Sequence, residues 1–516
     1  MSAIITDQLR ILNAKNFVSA ATSSINSYYA FVGLTNATDY SSGWETNPPS
    51  PKDSFEQEND YWDTMVALKK IKASDVNQVV RKITWSSGTT YDMYRHDISR
   101  TNTSKPSGAT SLYSANYYVI NSDYRVYICL QNGTDPENPT GRPSLDEPTF
   151  TDLEPKAAGD SGDGYIWKYL YTVKPSEIVK FDTVNFIPVP KNWETGTENA
   201  AIRNNAAATN NQLKIITITN RGVGLGTANR TYTNVPIKGD GSGGKATIVI
   251  NNDSKVESIT VSSGGDGYTF GTIDLVGGNV PTGTVTPTFD VIIPPKGGHG
   301  ADVYRELGAY NVLIYSRIEN DIENPDFVTG NKIARVGIVE NPLAYSSTSL
   351  LDIEKASAVY ALRLAGIGYS SATFTANSRF TQTISTGTTA VGRVVSYDQT
   401  TGVLKYWQDK SLAGFNTDGS QNNSPTYGIN LNRFTDSVGA GGTIFITDTN
   451  LYIDTTFTGV STTLNNRRYN LGQSFINGVA NPEVKKYSGN IIYIDNRPSI
   501  TRSSNQKEDI KVILQF

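Results

Sequence analysis

The chain predicts a mainly β fold in which helix is the minority, and three observations carry that expectation. The first is composition: among 516 residues there are 45 Gly and 29 Tyr against 3 Met and 2 His, with Thr, Ser and Asn abundant. Tyr and Thr suit a pleated, half-buried surface, while Gly and Asn serve turns, so short strands with frequent turns follow. The second is pattern: apolar and aromatic residues fall in short runs bounded by Gly, Pro, Asn and Asp, which is the signature of strands. The third is length, which exceeds what one hydrophobic core serves and predicts two to four domains.

Charge and cysteine content narrow the function classes. The net charge is −4, from 45 basic and 49 acidic residues dispersed along the chain. No basic stripe exists for a phosphate backbone, so nucleic-acid binding is disfavoured. The single Cys129, in Tyr127-Ile-Cys-Leu130, sits in an apolar strand with no His nearby in sequence and reads as a buried, inert thiol. No amino-terminal stretch has the organisation of a signal peptide and no apolar run approaches membrane-spanning length, so assembly in a cytoplasm without membrane contact is expected.

In chain order, Ile4 to Ser27 carries the apolar spacing of an amphipathic helix and Tyr28 to Leu34 reads as a strand. The prolines at 48, 49 and 51 stop a helix from running through the next turn. A second helix candidate starts at about Phe55, in the stretch that includes Tyr61 to Ile71. Strands follow at Val79 to Trp85, Tyr117 to Ile120 and Tyr124 to Leu130, where aromatic and apolar residues mix as they do in sheets. A Pro- and acid-rich loop from Asn132 to Lys156 precedes Gly162-Asp-Gly-Tyr-Ile-Trp-Lys-Tyr-Leu-Tyr171 and then Phe186-Ile-Pro-Val-Pro190.

From about Asn205 to Gly300 the composition shifts to Gly, Thr, Asn and Ile. Ile216-Thr-Ile-Thr-Asn-Arg-Gly222 is echoed by Ile259-Thr-Val-Ser-Ser-Gly-Gly265, and Val235-Pro-Ile-Lys-Gly239 by Ile273-Asp-Leu-Val-Gly277, with offsets of 43 and 38 residues. Two copies of a small β unit packed together are expected. Tyr310 to Tyr315, Asn331 to Val339 and the corner Glu340-Asn-Pro-Leu343 follow. The hairpin Val391 to Trp407, turning at Gly402, is the clearest element of the region 346 to 480. The chain closes on Gly489-Asn-Ile-Ile-Tyr-Ile-Asp-Asn-Arg-Pro-Ser-Ile500 and Ile510-Lys-Val-Ile-Leu-Gln-Phe516, read as strand, turn and strand. An apolar strand at this position is expected to pair into a sheet or a partner.

That closing segment resembles the carboxyl-terminal strand pair of the baseplate wedge protein of T-even-type contractile-tailed bacteriophages, in which a strand runs into an acidic-Asn-Arg-Pro turn. The Gly-Asp-Gly-Tyr-aromatic strand at 162–171 with its Val- and Pro-rich exit, and the Asn-Pro-Leu corner at 341–343, are similar to the same family and stand in the same order. The resemblance covers residues 28–190, 308–343 and 487–516, about half the chain. It implies a layered β-sandwich core with a few helices in loops, and a long form carrying inserted small β domains, as in phages of cyanobacteria. The segments so defined are 1–200, 301–345 and 481–516 for the core, 201–300 for a Gly-rich inserted repeat and 346–480 for a second inserted region. It further implies a non-enzymatic virion protein, homodimeric, bound to other wedge proteins in the tail baseplate and assembled in the bacterial cytoplasm.

Chemical motifs have bland explanations. Gly159-Asp-Ser-Gly162 mimics a serine-protease nucleophile, but only His96 is available upstream as a base. Gly222-Val-Gly-Leu-Gly226 and Gly239-Asp-Gly-Ser-Gly-Gly244 lack the strand, glycines and helix order of a dinucleotide site. Gly264-Gly-Asp-Gly267 matches one unit of a calcium β-roll, where several are needed. Asp60 with Asp63, and Glu319 with Asp321 and Glu323, read as solvated acids. No catalytic, cofactor or metal residue is assigned. Trp44, Tyr61, Trp62, Trp85, Tyr117, Tyr118, Trp167, Tyr169 and Tyr171 are a large aromatic supply, read either as core or as partner anchors. The alternative function is host adhesion or carbohydrate binding through the inserts, although the Gly-rich one has few large rings.

Overall fold

The computed structural model describes residues 4–35, 43–321, 325–385, 388–408, 443–445 and 451–516. The expected mainly β character is borne out, with 39% strand and 11% helix. The chain divides into two compact units, one made of Met1–Val18, Asn77–Leu313 and Ile513–Phe516, the other of Ser19–Val76 and Ile314–Val512.

The first unit is centred on an antiparallel sheet of Tyr118–Ile120, Arg125–Asn132 and Tyr165–Thr172, in which Cys129 faces Trp167 and Val126 faces Tyr171. Tyrosines fill much of its core because their hydroxyls can reach backbone carbonyls: Tyr117 donates to Glu306 (2.5 Å), Tyr127 to Phe150 (2.6 Å) and Tyr171 to Pro188 (3.1 Å). A ring then buries large area without an unpaired polar tip. Tyr165 stacks on Trp167 at 5.3 Å and Tyr91 meets the same indole edge-on at 5.8 Å. The helix Asp7–Thr22 is shorter than the spacing suggested and its apolar face is narrower. Ile11 and Ala14 are buried, while Leu9 and Leu12 stay exposed. Phe17 and Arg10 meet the other end of the chain: the Phe17 ring lies 5.5 Å from that of Phe516, and Arg10 donates to the Phe516 carbonyl at 2.7 Å.

The Gly-rich region lies in this unit with a core of its own, including Leu225, Val235, Ile248, Ile250 and Val256. Its four-stranded sheet runs Val256–Asp266, Ser242–Ile250, Thr231–Gly239, Gly271–Ile273, and a separate pair joins Ile216–Asn220 to Thr288–Val291. The two copies of the sequence pattern do not take equivalent places. Ile216 and Ile259 fall in different sheets, whereas the later landmarks pair with each other, Ile237 facing Ile273. The repetition is therefore one of strand and turn chemistry and not of a structural unit, a correction to the expected duplicate.

The second unit contains an antiparallel five-stranded sheet ordered Lys355–Ser357, Met65–Lys70, Tyr28–Gly33, Lys332–Glu340, Asn490–Thr501. Tyr28–Gly33 reads as an unbroken apolar run because it is covered on both faces: Tyr29 and Phe31 enter one core, Val32 another. The helix that starts at Phe55 is capped by Ser54, whose side chain accepts from the Gln57 amide, and it ends at Thr64. Met65–Lys70 passes into the sheet instead, where Leu68 faces Phe31.

Between the core segments a further sheet closes on itself, Val403–Trp407 pairing with both Thr388–Asp398 and Tyr360–Ala365. The expected hairpin at 391–407 is thus present, and Gly402, at φ +70°, supplies its turn.

Candidate interaction surface

The closing segment differs from the strand, turn and strand expected of it. Asp495-Asn-Arg-Pro498 is not a turn: it lies inside the single strand Asn490–Thr501. Facing Lys332–Glu340, Ile500 opposes Ile333 and Asn496 opposes Arg335, so three residues stand against Ala334 alone and form a bulge around Pro498. Proline cannot donate to a ladder, and a bulge on an edge strand is where it is tolerated. The turn comes later, where the Gln506 amide donates to Ser503, and Lys507–Gln515 enters a different sheet beside Asn311–Glu319.

Asn490–Thr501 is the last strand in its sheet, and long edges need cover. The loop around residues 44–49 supplies part of it: Trp44 Nε1 donates to the Arg497 carbonyl (2.8 Å) and Asn496 Nδ2 to the Pro49 carbonyl (2.9 Å). Arg335 holds these pieces together. Only 2% exposed, its guanidinium lies 5.2 Å from the Trp44 ring and 5.1 Å from the Tyr61 ring, and it donates to Thr64 Oγ1 (2.6 Å) and Asn496 Oδ1 (3.2 Å).

A groove of about 350 Å³ opens beside this edge, lined by Ile333, Tyr493, Pro498, Ile500 and Ile510 with Asp495, Arg497 and Lys511 among its charged residues. Ile500 is 55% exposed. Nearby, Asp509 accepts two bonds from Arg317 (2.7 and 2.9 Å) and one from Tyr315 (2.9 Å). The Arg317 bond above all holds the Asp509 carboxyl below its usual range, while burial, then Asp509, pushes the Tyr315 hydroxyl up to about 12. An apolar floor with mixed charges suits an extended segment of another chain.

A second feature of the same unit is a group of buried charges behind a cleft of about 550 Å³ that Pro325, Asp398, Lys405 and Asn470 help to line. Asp326 is wholly buried and neither carboxylate oxygen has a hydrogen-bond partner. Lys405 donates to the Pro325 carbonyl (2.8 Å), and Glu483 accepts from the Ser357 amide (2.8 Å). Desolvation dominates all three. It raises Asp326, lifts Glu483 to about 7 with help from Asp326, and lowers the Lys405 ammonium.

The residues weighed as chemical motifs are scattered. Ser161 bonds through its amide to Asp146 (3.0 Å), while His96 accepts from the Ile293 amide (3.3 Å), so neither serves the other. Asp266 accepts from the Asn210 amide (2.9 Å) at the end of the strand Val256–Asp266, where Gly265 adopts φ +55°. Glu319 pairs with Lys507 and Asp321 with Lys355, and Glu323 lies outside the described residues. Among the described residues no group of three or more His, Cys, Asp or Glu is placed to hold a metal ion, and no helix is long and apolar enough to cross a membrane. Cys129 is fully buried, and burial pushes its thiol well up. Of the aromatic supply, Trp44, Tyr61, Trp62, Tyr117, Tyr118, Trp167 and Tyr171 are core residues. Arg335, Lys405 and Lys168 were not singled out from sequence, yet each left a signal, a lone charge in the middle of an apolar strand.

No protein-family model matches the chain, and no curated protein matches it significantly.

Proposed function

We propose that this chain is a structural subunit of the baseplate wedge in a contractile phage tail. In this reading it forms a homodimer that joins neighbouring wedge proteins, and repacking of its interfaces lets the baseplate change shape at infection. The observation that carries the reading is the shared order of the three motif blocks, at 162–190, 331–343 and 489–516. The mainly β architecture agrees with it, because paired sheets are stiff and a load-transmitting joint needs stiffness. The groove beside Asn490–Thr501 offers a surface of the right chemistry for a partner segment.

Quantitative mass spectrometry of purified virions and isolated baseplates tests the proposal. A copy number that is a multiple of six in the baseplate fraction is expected, with an even count per wedge for the dimer. Absence from virions, or presence only in capsid or fibre fractions, defeats it. Host adhesion remains the second reading, favoured by Phe270 and Val276, which stand 60% and 77% exposed on the Gly-rich domain. Reproducible sugar binding on a glycan array supports that reading.

A further inference from the structure

Lys168 is the most unusual ionisable residue of the first unit. It sits at the centre of Tyr165–Thr172, fully buried, and its Nζ donates to the Leu153 carbonyl (2.6 Å) and to Asn205 Oδ1 (3.1 Å). None of the ion pairs among the described residues includes it. Charge buried without a counter-charge is costly, and burial, followed by the neighbouring Lys214, lowers its ammonium to about 8. A sizeable fraction of the amine is therefore neutral and nucleophilic just above neutral pH.

Its neighbour is held in a matching way. Asn205, on the helix Ala200–Ala206, donates its Nδ2 to Glu154 Oε1 at 2.7 Å, and Glu154 Oε2 is in turn held by Lys214 at 2.6 Å. Lysine only donates and carboxylate only accepts, so the carboxamide orientation is fixed, with its carbonyl toward the amine and its nitrogen toward the carboxylate. Gly300 packs against the lysine stem, where an added Cβ would stand 3.7 Å from Lys168 Cε.

We propose that Lys168 and Asn205 form an intramolecular isopeptide bond, with Glu154 as the proton carrier. The neutral Nζ attacks Asn205 Cγ, forming the new C–N bond and placing negative charge on Oδ1. A proton released by Nζ reaches Nδ2 through the Glu154 carboxylate, the Cγ–Nδ2 bond breaks, and ammonia departs. One amine and one primary amide become one secondary amide and ammonia, with no oxidant, reductant or further reactant. Proximity and orientation drive the step, since both groups are held in place by the fold. Asn205 is only half-buried and Glu154 is exposed, so the ammonia has a way out. The product ties a core strand to a helix across 37 residues of sequence.

The mass of the full-length folded protein tests this. The wild type is expected to be lighter than its sequence by about 17 Da, the mass of the ammonia lost in this covalent modification. Trypsin should also leave the peptides of Lys168 and Asn205 joined. Lys168→Met and Asn205→Ala are each expected at their full sequence mass, and Glu154→Gln is expected to accumulate the light form more slowly. Wild-type protein that stays at its full sequence mass after prolonged incubation at pH 8 overturns the proposal. So does a mass loss without the joined peptide, or one that persists in Lys168→Met, because cyclisation at Asn132-Gly133 or Asn477-Gly478 also releases ammonia.

Discussion

Arg335 shows how one buried cation organises its surroundings. Its guanidinium faces the Trp44 and Tyr61 rings and bonds Thr64 and Asn496. Planarity lets it stack and donate together, which an ammonium does not do. Arg335→Met is expected to destabilise the protein by about 2–4 kcal/mol, and Arg335→Lys to recover less than half of that, as read by chemical denaturation. Glu483 carries the clearest pH dependence. Its folded carboxyl titrates at about 7 against an ordinary 4.5, so the folded state keeps a proton that the unfolded state has lost. The stability tied to this group is fully present below pH 4.5 and is lost as pH rises through 7. By linkage the loss is up to roughly 3 kcal/mol. Asp326, also raised, works in the same direction. Denaturation at stepped pH should show wild-type stability falling across this window and Glu483→Gln falling less; equal slopes defeat the assignment.

Among the elements, the last residues of the strand Val256–Asp266 in the Gly-rich domain are tightly constrained. Gly265 adopts φ +55°, and a Cβ there would collide with the Ser242 carbonyl and the Gly244 amide, whereas Gly330 at φ +79° has nothing within 4 Å. Both substitutions pay for a left-handed backbone, but only Gly265→Ala adds a clash with main chain. It is expected to cost at least about 2 kcal/mol more than Gly330→Ala in thermal or denaturant unfolding. Elements of this kind were legible from sequence where local chemistry decides them. The strand at Tyr28, the helix start at Phe55, the hairpin turning at Gly402 and the strand after Gly164 all fall where aromatic runs, caps and glycines put them. Misreadings came where pairing overrode local signals. Pro498 reads as a turn but sits in a bulge because Lys332–Glu340 pairs on both sides of it. Lys405 stands out locally as a charge within an apolar strand, but Asp326 and the half-buried Glu483 are distant from it in sequence, so nothing local announces that the three come together.

For the whole molecule, the decisive question is whether the Gly-rich region is a separable addition or part of the load path. Its geometry answers at the junction. Ile216 pairs with Val291, and the Ile292 amide donates to the Ile215 carbonyl (3.1 Å), so the chain enters and leaves the region side by side. Ile215 and Ile292 belong to the aromatic core of the first unit, while Ile216 and Val291 belong to the region's own core. Leu213 and Ile293 belong to the region's own core as well, so along both strands the two cores alternate by strand face at this junction. Replacing residues 217–290 by a short Gly-containing hairpin turn, with Leu213→Thr, Ile216→Thr, Val291→Thr and Ile293→Thr because these residues lose their cover, preserves the core contacts of Ile215 and Ile292. The partly exposed ion pairs of Arg221 with Glu137 and of Arg95 with Asp290 that it removes contribute little. The shortened protein is expected to fold, with thermal unfolding within a few degrees of the parent, and residues 213–293 to fold alone with protected amides in hydrogen exchange. Under the wedge reading, virions made with the shortened chain should retain its copy number in the baseplate. Loss of the subunit from virions despite normal folding would place this domain in the wedge contacts themselves and make Phe270 and Val276 the first residues to examine there.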